Sequence, residues 1–332
     1  MGANMQPLPL ISRLGFRAVA SLLSPAGKRA SLLVLTYHRV LAEPDPLLSD
    51  EPDVVRFSGQ MNLLSSLFNV LPLSEAVQRL KLNSLPERAV CITFDDGYAN
   101  NLEFALPILK ARKLPATVFV STGFIGGKIM WNDMIIEVIR AAKEELDLGH
   151  LNLGVYSLAD NKHRRDAINN LISRLKYINP DERLQALRQI ADHAGANIKK
   201  DIMMSESQLK ELHHSGIELG AHTVNHPILS RLEDTLAFNE IKNSKGVLED
   251  ITGEAITCFA YPNGRPAKDY EARHVRMVKD LGFKSAVSTA WGATQRNSDV
   301  LQLPRIAPWD RTSTGYITRM LKAYLDPTAD TV

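Results

Sequence analysis

The sequence predicts an α/β fold in which helices surround a parallel sheet or barrel. Residues 89–94 form a continuous apolar run rich in β-branched side chains, as expected of a strand buried on both faces. Further apolar runs alternate along the chain with segments of helical periodicity. The 332 residues are enough for one large α/β domain, or for a domain that carries an insertion.

The charge balance argues against a nucleic-acid partner. Lys and Arg number 39 against 37 Asp and Glu, which gives a net charge of only +2. The 2 cysteines, Cys91 and Cys258, each lie in an apolar, strand-like run. So few cysteines do not make a disulfide framework, and we expect both to be buried small hydrophobic residues.

Residues 1–30 predict an amphipathic helical segment. Arg13 and Arg17 flank apolar residues, and the uncharged run 18–26 is short for a signal-peptide core and far short of the roughly 20 residues of a membrane span. The helix is expected to dock either on its own domain or weakly on a membrane surface. With no clear signal peptide, the predicted location is cytoplasmic or membrane-peripheral.

The first strand is predicted over residues 31–40, with Tyr37 and His38 at its end. Apolar residues with helical spacing follow over 57–67. The alternation then predicts, in order, strand 68–73, helix 74–82, strand 89–94, helix 101–112 and strand 116–120.

The alternation is interrupted at residues 131–202, where helical patterns over 134–146, 163–178 and 181–194 follow one another without a clear strand. We interpret this stretch as a helical insertion in a barrel domain that covers residues 31–325. Beyond it, the sequence predicts helix 205–214, strand 216–222, helix 236–251, strand 255–261, helix 274–281 and closing segments at 284–288 and 301–306.

Two adjacent carboxylates, Asp95 and Asp96, follow the apolar run 89–94 directly. Neighbouring strand residues point to opposite faces, so both side chains can reach one site only where the strand gives way to a turn. Gly97 supplies the backbone freedom for that turn. Carboxylates at the carboxyl end of a buried strand are where α/β barrels place their chemistry, although an Asx-type turn would account for this triplet alone.

Two histidines, His222 and His226, follow the strand 216–222. Pro227 biases His226 away from the helical region, so we expect a loop with both imidazoles pointing inward. Imidazole nitrogens and a carboxylate suit zinc and similar divalent ions, and catalytic sites keep three protein ligands and an open position. Asp96, His222 and His226 would make such a set, although a His-x-x-x-His pair alone is a weak signal.

Three segments at strand ends carry motif-like patterns: residues 93–98 (TFDDGY), 222–226 (HTVNH) and 259–264 (FAYPNG). Together they resemble the motifs of the polysaccharide deacetylase family, also called the NodB-homology group or carbohydrate esterase family 4. The resemblance covers roughly residues 31–125 and 203–306. It implies a deformed (β/α) barrel of the NodB-homology type that removes N-acetyl groups from amino sugars with a divalent metal.

The resemblance also implies roles for single residues. Asp95 would be the general base, and Asp96, His222 and His226 the metal ligands, with zinc most expected and nickel, cobalt or iron as alternatives. The backbone N–H of Asn263, where the family usually has Tyr, would stabilise the oxyanion.

The sequence departs from the family pattern in two places. Ala260 stands where the family has an Arg that orients the base, and we expect Arg305 to replace it by pairing with Asp95. No His follows His274 to act as the general acid. His38 would take that role, as in the exopolysaccharide deacetylase branch with a circularly permuted barrel, although it could instead merely cap its strand.

Five residues are predicted to contact the substrate: Tyr98, Tyr261, Pro262, Trp131 and Trp309. A core position is the alternative for Trp131. We therefore predict a metal-dependent hydrolase of N-acetyl groups on a polysaccharide or a lipid-linked glycan precursor. The alternatives are an O-acetyl esterase with the same site and a carbohydrate-binding module without turnover.

Overall fold

The computed structural model describes residues 5–6, 8–196, 201–326 and 330–332, and these form two compact units. The first unit comprises Met1–Glu43, Asp50–Ile125 and Met204–Val332, and the second comprises Pro44–Ser49 and Gly126–Met203. The parts of the predicted segments 1–30 and 131–202 that fall on residues 1–4, 7 and 197–200 lie outside the described residues.

A seven-stranded parallel sheet forms the centre of the first unit. The strands are, in chain order, β1 (Leu32–Tyr37), β2 (Asn69–Val70), β3 (Ala89–Phe94), β4 (Thr117–Val120), β5 (Glu145–Leu148), β6 (Gly154–Ser157), β7 (Glu218–Ala221), β8 (Cys258–Ala260) and β9 (Ser285–Val287). Of these, β5 and β6 belong to the second unit and are not part of the seven-stranded sheet. The spatial order is β1-β3-β4-β7-β8-β9, with β2 beside β3. Every residue of β1 and β3 is buried, which confirms that these apolar runs are strands covered on both faces.

Residues 303–306 join the two ends of this sheet. The N–H of Leu303 donates to the carbonyl of Ala286 in β9, and the N–H of Ile306 donates to the carbonyl of Val34 in β1, both at 2.8 Å. The sheet is therefore curled into a deformed barrel, as the sequence predicts. Cys91 and Cys258 are free and buried inside it, which confirms their expected packing role.

The helices of the first unit flank its sheet, and those of the second unit pack around a core of their own. They are α1 (Leu10–Leu23), α2 (Val54–Leu67), α3 (Leu73–Lys81), α4 (Leu106–Ala111), α5 (Trp131–Ala141), α6 (Asn161–Leu175), α7 (Pro180–Ala194), α8 (Glu206–His214), α9 (Asp234–Thr252), α10 (Ala272–Asp280) and α11 (Ser313–Leu325), of which α5–α7 belong to the second unit. A turn of π-helix, Asn101–Ala105, precedes α4. Ser205 and Gln208 form the predicted capping box of α8.

The second unit contains a hairpin that the sequence analysis missed. The helix expected over residues 134–146 ends at Ala141, and β5 and β6 then pair as antiparallel strands. In β5 the buried Leu146 and Leu148 alternate with the exposed Glu145 and Asp147. That alternation is the period of a strand, so the expectation of no strand in this region was wrong.

Candidate active site

Asp95 and Asp96 follow β3 directly, and both direct their carboxylates toward His222. The N–H of Asp95 still donates to the carbonyl of Tyr37 in β1, at 2.9 Å. Asp96 then adopts φ +75° and Gly97 φ +90°, so the strand ends at the expected turn. Oδ2 of Asp95 lies 4.0 Å and Oδ1 of Asp96 3.6 Å from Nε2 of His222. Adjacent residues of one strand thus reach one site.

The loop after β7 brings the two histidines together. Thr223 and His226 have φ of +64° and +52°, so the segment is a strand end followed by a loop, as Pro227 predicts. The rings of His222 and His226 lie 4.8 Å apart between centroids. Backbone strain of this kind persists only where the surroundings enforce it, and it is common at functional sites.

Glu240 of α9 holds this loop in place. Its carboxylate accepts hydrogen bonds from the N–H groups of Val224 and Asn225, at 2.9 and 2.8 Å, and from the Asn225 side chain at 2.7 Å. The N–H of His226 donates to Oγ1 of Thr223 at 3.1 Å. The conformation that directs both imidazoles inward is therefore fixed by hydrogen bonds at both ends of the loop.

Asp96, His222 and His226 form a group that fits a divalent metal ion. Oδ1 of Asp96 lies 3.6 Å from Nε2 of His222 and 3.5 Å from Nε2 of His226. Metal–ligand bonds of about 2.0–2.2 Å place the ligand atoms of a tetrahedral site about 3.4 Å apart, so these spacings suit one ion. Among the described residues, Asp96 Oδ1 is buried and has no hydrogen-bond partner. Such an atom needs a cation or a donor.

His222 is in the state that a ligand requires. Its Nδ1 lies 2.8 Å from the carbonyl of Ala260, so Nδ1 carries the proton and donates, leaving the lone pair of Nε2 directed at the site. Burial lowers the pKa of His222 to about 4, and nearby His226 also lowers it, against the raising effect of Asp95 and Asp96. The imidazole is therefore neutral near neutral pH.

Ser121, directly after β4, joins the two ligand-bearing segments. Its N–H donates to the carbonyl of Asp96 at 3.2 Å, and its Oγ donates to the carbonyl of His222 at 3.0 Å. Ser121 is buried, and β4 lies between β3 and β7 in the sheet. The spacing between the two ligand segments is therefore fixed by protein hydrogen bonds.

Arg305 pairs with Asp95 as the sequence predicts. Its two terminal nitrogens lie 2.7 Å from Oδ1 and Oδ2 of Asp95, and its Nε donates to the carbonyl of Ser288 at 2.9 Å. Burial alone would raise the pKa of Asp95, but Arg305, followed by His222, lowers it well below the usual range. Asp95 is therefore ionised and held in one orientation.

His38 and Asn263 lie at the carboxyl ends of their strands. His38 follows β1, whose Tyr37 pairs with Phe94, and so it lies beside Asp95 in the sheet register. Its side chain is 47% exposed, with Nδ1 4.0 Å from Oε1 of Glu51. Asn263 has φ +60°, and its carbonyl accepts from the Thr289 hydroxyl at 2.7 Å. The acid and oxyanion roles stay predictions.

The residues predicted to contact the substrate occupy different surroundings. Tyr261 is fully buried, stacks on Tyr270 at 3.9 Å and donates to a backbone carbonyl, so it lies in the core and not on a surface open to a sugar. Tyr98 and Pro262 are also buried. Trp309 is 53% exposed. Trp131 belongs to the second unit, where the Arg183 guanidinium lies 4.6 Å above its ring.

Sequence reasoning missed Ser121, Ser288 and Glu240. Ser121 directly follows the predicted strand 116–120, as Asp95 follows the strand 89–94, and could have been found on that ground. Ser288 contributes a backbone carbonyl and Glu240 reaches the loop from a distant helix, so nothing local marks either residue.

Comparisons with known proteins agree with this geometry. A sequence profile described as polysaccharide deacetylase matches residues 83–151 and 186–286. YxkH of Bacillus subtilis (strain 168) is 24% identical over 301 residues, or 90% of this chain and 77% of that protein. The poly-β-1,6-N-acetyl-D-glucosamine N-deacetylase of Staphylococcus aureus (strain MSSA476) is 34% identical over 122 residues, or 32% of this chain and 42% of that protein.

A solved structure shares the fold. The Streptococcus pyogenes deacetylase PplD, determined in complex with acetate, superposes with a TM-score of 0.58 at 20% sequence identity. The superposition covers 89% of this chain and 98% of PplD. The deformed barrel predicted from the sequence is therefore an architecture that a solved deacetylase also has.

Proposed function

Because this chain belongs to the polysaccharide deacetylase family, we propose that it hydrolyses the N-acetyl groups of amino sugars in a polysaccharide or a lipid-linked glycan precursor. The observation that carries the proposal is one buried constellation at the carboxyl ends of the strands. There the Asp–His–His group lies beside a carboxylate that is held ionised by an arginine. A lipid-linked glycan would be met at a membrane surface, and helix α1 offers a face for weak attachment there.

Asp96, His222 and His226 would hold a divalent ion, zinc first, with nickel, cobalt or iron as alternatives. When bound, such an ion supplies Lewis-acid polarisation of the acetyl carbonyl and makes a water molecule more acidic. The neutral His222 and the otherwise unpaired oxygen of Asp96 support this assignment.

Asp95 would accept the proton of the attacking water. The Arg305 fork fixes both of its oxygens and keeps the carboxylate charged, so the base is ready without prior loss of a proton. The backbone N–H of Asn263 would donate to the developing oxyanion. His38 would protonate the leaving amine, so that water and amide become acetate and a free amino sugar.

The aromatic residues would shape the substrate path in different ways. The exposed ring of Trp309 would stack on a sugar face, and we keep this role for Trp131 as well. Tyr98, Tyr261 and Pro262 are buried, so their contribution would be to support the strand ends that carry the site.

Metal content and acetate release test the assignment. We expect the purified protein to bind a divalent ion and to release acetate from N-acetylglucosamine oligomers or a lipid-linked glycan. His222→Ala should lose the ion, whereas Asp95→Asn and His38→Ala should keep it and lose turnover. A wild-type protein that binds no divalent ion would contradict the proposal.

The same assay separates the alternatives. Faster acetate release from O-acetyl esters than from amides would indicate an esterase. Carbohydrate binding without any acetate release, unchanged by Asp95→Asn, would indicate a binding module. The ion pair between Arg305 and Asp95 argues against a binding module, since Arg305 takes the place of the family's arginine at the position of Ala260.

A further inference from the structure

Helix α1 carries apolar side chains on two opposite faces. The inner face, with Phe16, Ala20 and Leu23, packs on the first unit, where α1 contacts α2 and α11. The outer face consists of Leu10, Ile11, Leu14, Val19 and Leu22, all of which are exposed. Ile11 and Leu22 are 85% and 82% exposed. Docking on its own domain therefore uses only half of the apolar surface of this helix.

The outer face is a concentrated patch. Among the described residues, 14 large hydrophobic side chains are exposed, and 5 of these lie on α1. Residues 10, 14, 18 and 22 follow one another at intervals of four, which places them in one row along a helix. Scattered exposed leucines are ordinary, whereas a continuous apolar row marks a surface that binds something.

The charged residues of this part of the sequence are all basic. The first acidic residue of the sequence is Glu43, while Arg13, Arg17, Lys28 and Arg29 are exposed on α1 and just beyond it. A chain with a net charge of only +2 therefore concentrates basic residues here. The Glu87 carboxylate lies close enough to Arg17 to interact, but it already pairs with Arg88.

We infer that the outer face of α1 binds the surface of a bilayer that contains anionic lipids. The apolar row would enter the boundary between headgroups and acyl chains, and the arginines would meet lipid phosphates. At 14 residues α1 is about 21 Å long, shorter than the hydrocarbon core, so it would lie in the plane of the membrane. No described helix is long and apolar enough to cross a membrane. The inference deepens the weak membrane attachment proposed above and does not depend on the proposed reaction.

Vesicle co-sedimentation of the full chain tests this surface. We expect binding to phosphatidylcholine vesicles that contain phosphatidylglycerol, and little binding to phosphatidylcholine alone. Ile11→Glu and Leu22→Glu should each weaken binding at least about ten-fold, because each removes an aliphatic side chain that the bilayer would bury. Arg13→Gln and Arg17→Gln should each weaken it about five-fold and reduce its salt dependence.

A matched control is Leu236→Glu, which changes a leucine that is 56% exposed on α9. It should bind vesicles like the wild type, and every variant should keep the wild-type circular dichroism spectrum. Equal binding by Ile11→Glu and the wild type, or equal binding to neutral and anionic vesicles, would overturn the inference. A wild-type dimer that Leu22→Glu converts to a monomer would also overturn it, because a second copy would then cover the face.

Discussion

Replacing Arg305 by Gln would leave the Asp95 carboxylate buried without its cation. The two side chains are 1% and 6% exposed and share two hydrogen bonds of 2.7 Å. Water therefore has almost no access to either group, and among the described residues no other group of full positive charge is bonded to the carboxylate. Gln is polar but shorter than Arg, so the variant removes the charge together with both hydrogen bonds to the carboxylate.

The expected loss of unfolding free energy follows from this burial. Removing one partner of a buried ion pair costs about 3–5 kcal/mol. We take this loss of free energy to include the hydrogen bond from Nε of Arg305 to the carbonyl of Ser288. Because the pKa of Asp95 is lowered by folding, the pair stabilises the protein above the unfolded carboxyl pKa of about 3.9, and its contribution declines as the pH falls below that value. The difference between variant and wild type should therefore shrink in acid.

Urea unfolding of the metal-free protein measures this loss near neutral pH. We expect Arg305→Gln to lose about 3–5 kcal/mol. The double variant with Asp95→Asn should regain part of it, because no charge is then stranded. Arg79→Gln is the matched control, since its pair with Glu75 is exposed and should contribute about 0.5 kcal/mol. An Arg305→Gln loss as small as that of the control would refute the reasoning.

Three further variants test the ligand loop, a buried histidine of α10 and the turn after β3. Glu240→Ala should weaken metal binding about 10–100-fold in a chelator competition, with an unchanged circular dichroism spectrum. An unchanged metal affinity would show that the loop 222–226 keeps its conformation without Glu240. His274 accepts the Glu271 N–H and has its pKa lowered from 6.5 by burial, so stability should fall as the pH drops below 6.5, and His274→Gln should flatten that curve. Gly97→Ala should cost about 1–3 kcal/mol in urea unfolding, because φ is +90° and the new Cβ would lie 3.1 Å from Val120; a neutral effect would contradict this.

The sequence was most informative where burial is complete. Strands β1 and β3 are covered on both faces, so their residues form uninterrupted apolar runs that can be recognised in one dimension. The turn at Asp96 was marked by Gly97, and the loop at His226 by Pro227. The pairing of Arg305 with Asp95 was also predictable, since a buried carboxylate without the usual arginine needs another cation.

The features that sequence reasoning missed depend on contacts between distant segments. Four alternating residues in β5 are too few to outweigh the helical pattern before them. Glu240 belongs to a helix whose sequence does not reveal which loop its carboxylate will meet. Tyr261 lies within a motif, yet its ring stacks on Tyr270, which a motif match cannot show.

The serine between the two ligand segments bears on which ions the protein would accept. Because Ser121 ties the backbone at Asp96 to the backbone at His222, the ligand atoms cannot spread apart or close up freely. Selection would then act through ionic radius and coordination number. An ion such as calcium, which takes 6–8 oxygen ligands at about 2.3–2.6 Å, would be rejected by size and by donor type. Loosening that tie, as in Ser121→Ala, should broaden the range of ions bound.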